Sequence, residues 1–171
     1  LTFKFYDVSE DVVLNLSETV EFTADASYGN VIDPFELNVF DGSDPSYYTV
    51  DLEDTGESQL TIFSDSITSL SPGDEVGVFD LDAITNYNDC SNQIGELLVG
   101  AGVWDGNQLN IVSTGSVDLC AFGGPQLAGY VAGNDVIVRV YKTAEGVEYD
   151  TELTWDVGSG TFGYDEQYVS Q

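Results

Sequence analysis

Apolar residues in this chain recur at every second position over short runs, and the runs are cut every 8–15 residues by turn formers. A helix needs its apolar residues at a spacing of three and four, and that spacing is almost absent, so the pattern dictates strands. Runs near 1–6, 12–16, 20–24, 35–40, 47–53, 59–63, 75–80, 96–103, 108–113, 135–142, 147–155 and 167–170 are rich in Val, Ile, Tyr, Phe, Thr and Trp, the residues that suit a pleated, half-buried surface. Asp41-Gly42, Ser71-Pro72-Gly73-Asp74, Asp105-Gly106-Asn107, Gly123-Gly124-Pro125 and Gly133-Asn134 separate them. These residues supply the positive or fixed φ that tight turns require. Asp105-Gly106-Asn107 and the stretch 142–146 read as hairpin connections. The expectation is an all-β fold, a β-sandwich or jelly-roll-like architecture of about twelve short, mostly antiparallel strands. A seam near 29–34 divides an N-terminal arm, 1–30, from a sandwich domain, 31–171.

Charge narrows the function. Lys and Arg number 3 against 31 Asp and Glu, a net charge of −28 over 171 residues. Nucleic-acid phosphates and anionic lipid are repelled by such a surface, so neither is expected as a partner. Three environments make it tolerable: high salt that screens it, divalent cations that bind it, or acid that neutralises it. No apolar run reaches the ~20 residues of a membrane helix, so no membrane insertion is expected. The chain starts at Leu1 and has no Met, which reads as a processed mature form or a trimmed piece. Cys90 and Cys120 both lie in polar turn-rich stretches and read as one disulfide, the alternative being two separate thiols. The bridge implies a secreted or cell-surface protein.

Catalysis is poorly supplied. There is no His, which removes the usual acid–base partner and every His-dependent nucleophile. Lys4, Arg139 and Lys142 are too few for phosphate or oxyanion clamps. The expectation is a binding or assembling protein rather than an enzyme. Calcium is a candidate ligand because oxygen-bearing side chains crowd the stretch 80–92: Asp80, Asp82, Asn86, Asn88 and Asp89. The spacing is not that of an EF-hand, since Ile84, Thr85 and Ser91 stand where a ligand, the turn Gly and the closing Glu belong. A solvated acidic turn is the alternative. Asp41-Gly42-Ser43-Asp44 is a weaker cluster of the same kind.

The first strand stands apart. Leu1, Phe3 and Phe5 alternate with Thr2, Lys4 and Tyr6, at low net charge. Such a terminal strand either pairs within its own sheet or adds to the open sheet edge of a neighbouring copy. Tyr47, Tyr48, Tyr141, Tyr149, Trp104 and Trp155 supply rings for a carbohydrate platform if they share one exposed face, and core packing otherwise.

From residue 47 onward the succession of motifs is distinctive: 55–63 (TGESQLTIF), 73–80 (GDEVGVFD), 98–104 (LVGAGVW), 122–125 (FGGP) and 158–163 (GSGTFG). The stretch 47–170 resembles a β-sandwich module that recurs in secreted and surface proteins of aquatic bacteria. That resemblance implies secretion and an adhesive or structural setting, with no assigned activity. The expected function is an extracellular self-assembling structural protein, a filament or surface-array subunit with cation-dependent contacts between copies of itself. A monomeric adhesion module binding carbohydrate or a cell-surface protein is the alternative.

Overall fold

A computed structural model of the chain describes residues 2–8, 12–19, 35, 39–40, 46–164 and 166–171; of residues 2, 3, 7, 12–19, 39 and 40 it describes the backbone alone. The chain is all-β, with no α-helix among the described residues. It divides into two compact units, Leu1–Asp44 and Pro45–Gln171. The division therefore falls later than the seam expected at 29–34.

The first unit holds strands β1 (Thr2–Asp7), β2 (Val12–Thr19) and β3 (Val39–Phe40) in the order β1-β2-β3. β1 pairs antiparallel with β2, Phe5 opposite Leu14, with a register shift between Thr2 and Lys4. Among the described strands, β1 thus lies at one edge of its sheet.

The second unit contains β4 (Ser58–Phe63), β5 (Glu75–Ile84), β6 (Ile94–Val103), β7 (Leu109–Thr114), β8 (Val117–Asp118), β9 (Gln126–Leu127), β10 (Ile137–Lys142), β11 (Val147–Asp150), β12 (Trp155–Val157) and β13 (Glu166–Val169). Two four-stranded sheets, β11-β10-β5-β6 and β12-β13-β4-β7, share one core, the arrangement of a β-sandwich. Pairing is antiparallel except between β13 and β4, which run parallel. Val76, Val78, Val99, Val138 and Val140 from one sheet meet Phe63, Ile111 and Val169 from the other. Alternation explains which residues these are: along β7, Ile111 and Ser113 are buried while Asn110 and Val112 are exposed. A two-stranded ribbon of β8 and β9 and a 3-10 turn, Cys120–Phe122, complete the unit.

Three expectations change in detail. The step through Asp105-Gly106-Asn107 is no hairpin within one sheet, because β6 and β7 belong to different sheets. Trp104 plugs the core at the crossing, 2% exposed, and its backbone exchanges bonds of 2.8 Å with Gly73 and Asp74. The run expected as one strand at 147–155 splits into β11 and β12, which lie on opposite sheets. Residues 47–53 form no strand. They begin instead as a clasp across the outer face of β5.

That clasp explains an oddity of β5, whose first six residues are all buried. Val76 and Val78 face the core. On the outer face Glu75 accepts four hydrogen bonds: Ser46 N and Oγ donate to Oε1 at 2.9 and 2.8 Å, and Tyr47 N and Tyr48 N donate to Oε2 at 2.8 and 3.0 Å. A Cβ at Gly77 would stand 3.0 Å from the Tyr48 ring, so the glycine is what lets Tyr48 lie across the strand.

Candidate functional site

The five residues expected to hold calcium fall into two groups with different roles. Asp80 and Asp82 sit within β5, which runs on to Ile84, rather than in a loop. Asp80 is fully buried. Its carboxylate accepts from Val131 N at 2.8 Å, Asp82 N at 2.9 Å and both oxygens from Asn134 Nδ2 at 2.9 and 3.0 Å. It therefore pins the turn at 131–134 against the sheet. Asp82 is exposed, and its carbonyl accepts from Asn134 Nδ2 at 3.1 Å.

The second group is closed by amides. Asn86 is buried; Nδ2 donates to Asp89 O at 2.8 Å and to Gln126 Oε1 at 2.9 Å, while Oδ1 accepts from Gln93 N at 2.9 Å. Gln126 Nε2 donates in turn to Asn92 Oδ1 at 2.7 Å. Asn88 and Asn92 take left-handed φ values of 57° and 51°, a conformation Asn tolerates better than most residues. Asp89 Oδ1 accepts from Ser91 Oγ at 2.6 Å and Ser91 N at 3.0 Å, and these bonds hold its carboxyl below the usual range. Cys90 and Cys120 form the expected disulfide, with Cα atoms 6.0 Å apart. Of these five residues, Asp80, Asn86 and Asp89 thus engage their side chains in hydrogen bonds within the protein. Among the described residues no three His, Cys, Asp or Glu side chains gather to hold a metal. Asp41-Gly42-Ser43-Asp44 lies outside the described residues.

The aromatic residues do not share one exposed face. Trp104 and Tyr48 are buried, and Trp155 packs half-buried against the core. Tyr47 and Tyr141 stack face to face at 3.8 Å, so each covers the other. Tyr48 meets Phe79 edge-on at 5.6 Å and donates to Glu148 Oε2 at 2.9 Å; burial, then Glu148, pushes its hydroxyl pKa well up. Arg139 lies 4.6 Å over the Phe79 ring and pairs with Glu96 at 2.7 Å and Asp150 at 3.3 Å. Lys142 pairs with the buried Asp74 at 2.7 Å.

Of the proposed assembly strand, Leu1 and the side chain of Phe3 lie outside the described residues. Phe5 is half exposed, as is Tyr6, and Val8 is 79% exposed. Lys4, between them, is exposed.

Sequence reasoning missed a cleft of about 520 Å³ on the second unit. Glu57, Ser58, Ser116, Asp118, Tyr130 and Tyr164 contribute to its walls. Tyr130 is stacked on Phe162 at 4.5 Å and 7% exposed. Burial raises its hydroxyl pKa, and the charge of Glu57 raises it further. A Cβ at Gly115 would lie 3.0 Å from Tyr130 Cζ, so the glycine makes room for the phenol end of the ring. Four separate stretches of chain build this cleft, and no local motif carries it.

No protein-family model, curated protein or solved structure matches the chain. Among the described residues no helix is long and apolar enough to cross a membrane.

Proposed function

We propose that this chain is an extracellular structural protein that assembles with copies of itself through contacts needing cations between its acidic surfaces. The carrying observation is β1: an edge strand with half-exposed Phe5 and Tyr6 and exposed Val8 beside it. An open edge flanked by apolar side chains is a template for another chain. Edge strand β11 alternates exposed Val147 and Tyr149 with exposed Glu148 and Asp150, and such charges keep an edge from pairing.

Other features fit the reading. A disulfide suits an oxidising, extracellular compartment. The resemblance of 47–170 to modules of secreted and surface proteins points the same way. At −28 per copy, neighbours repel one another in dilute buffer. Screening to ~8 Å at physiological salt reduces that repulsion only in part. Calcium bridging carboxylates of adjacent copies is the cation role proposed here. Light scattering during a calcium or salt titration tests the reading: particle size rises with either, and a size that stays monomeric throughout contradicts it.

A further inference from the structure

Three cationic side chains must serve 31 acids, and among the described residues two of them are engaged inside the sandwich. Arg139 holds Glu96 and Asp150, and Lys142 holds Asp74. Lys4 is exposed on β1 and makes no ion pair with any described residue. In so acidic a chain, a lysine without a carboxylate partner, on an open strand edge, is available for a contact with another molecule.

The cleft at Tyr130 has complementary chemistry. Glu57 and Asp118 bring carboxylates to it, and its walls include no cation. Tyr130 is more than nine-tenths buried, and its hydroxyl makes no hydrogen bond with any described residue. The hydroxyl itself is open to solvent rather than sealed in the core, so at the cleft wall it can bond to what enters. A lysine ammonium has three donors, matching the two carboxylates and the phenol oxygen, and Tyr164 lines the same cleft.

We propose that Lys4 on β1 of one copy inserts into the Glu57–Asp118–Tyr130 cleft of a second copy. The proposal rests on the assembly reading and names its contact. Strand and cleft are different surfaces, so the contact is heterologous, and its repetition propagates copies head to tail into an open filament or a ring. Salt bridges of this kind also fix register between copies that otherwise repel.

Carbodiimide coupling, which joins an ammonium to a contacting carboxylate, tests the contact directly. Equal amounts of ¹⁵N-labelled and unlabelled full-length chain are mixed in calcium-containing saline, coupled, digested and read by mass spectrometry, with the same sample imaged by electron microscopy. The Lys142–Asp74 pair supplies a link within single chains as the internal control. The expected result is Lys4 joined to Glu57 or Asp118 in mixed-label pairs at the statistical share. Assembled particles with Lys4 joined only to other acids, or to the cleft only within single chains, overturn the contact while the assembly reading stands. No particles and no mixed-label link overturn both. As a second arm, Lys4→Glu raises the concentration needed for assembly by about thirtyfold or more, and Glu57→Lys with Asp118→Lys in the same chain restores it. A reversed chain that keeps the wild-type circular dichroism yet is not rescued counts against the pairing.

Discussion

A carboxylate is tolerated in a protein interior only where donors surround it, and Glu75 is surrounded by four. Its two oxygens hold the backbone at Ser46, Tyr47 and Tyr48 in place, and with it the ring that covers β5. Replacing Glu75 by Gln leaves a single acceptor oxygen for these donors. The expected cost is about 2–4 kcal/mol in denaturant-induced unfolding, with Tyr48 becoming accessible to iodination. Glu96 behaves differently because it is half exposed. The Arg139 guanidinium donates to both its oxygens and holds its carboxyl below the ordinary range. A folded-state value lower than the unfolded ~4.3 means the pair contributes stability at neutral pH and loses it as pH falls through the carboxylate range. Thermal midpoints should therefore show Glu96→Gln less stable than wild type at pH 7 and the two converging in acid. Midpoints separated by a constant interval at every pH would contradict this account.

Among the elements, those with a strict period of two were legible. β7 and β13 carry it and bury Ile111 and Val169; β4 alternates too, but its fully buried face is Gln59, Thr61 and Phe63, with Leu60 and Ile62 half-buried. Elements whose placement depends on partners far along the chain were not. Residues 47–53 have the composition of a strand, yet the donors of 46–48 go to a side chain on β5 instead of a ladder. The stretch 80–92 shows a related limit. Its acids and amides read as a ligand set in sequence, while the bonds that position Asp80, to Val131 and Asn134, and Asn86, to Gln126, span 40 or more positions. The disulfide was legible because two cysteines in turn-rich stretches leave few alternatives. It closes a loop of 30 residues, so reduction should lower stability by about 3–4 kcal/mol on the chain-entropy account. Because Asn86, Asn92 and Gln126 cross-link the same two segments, the reduced protein is expected to keep the far-ultraviolet circular dichroism of the sandwich. Loss of that signal on reduction at room temperature would show that the amide network does not hold the segments alone. The cleft at Tyr130 was invisible for the opposite reason: its walls come from four stretches, each ordinary by itself.

At the scale of the whole molecule, charge sets the terms. Within the sandwich, hydrogen-bond donors surround the buried Glu75 and Asp80, and one cation, Lys142, pairs with the buried Asp74. The other carboxylates of the described residues face solvent, and any second copy must meet them. An assembly of such copies is therefore held by short-range contacts, strand edge and ammonium in cleft, and permitted by the ions around it. This separates the account from one in which the chain acts as an isolated module, for which ions affect solubility but not size. Negative-stain electron microscopy of the purified chain, in calcium-containing saline and again in chelator at low ionic strength, tests it most directly. Filaments, rings or sheets in the first condition that dissolve in the second are the predicted result. Discrete single particles in both conditions would contradict the account.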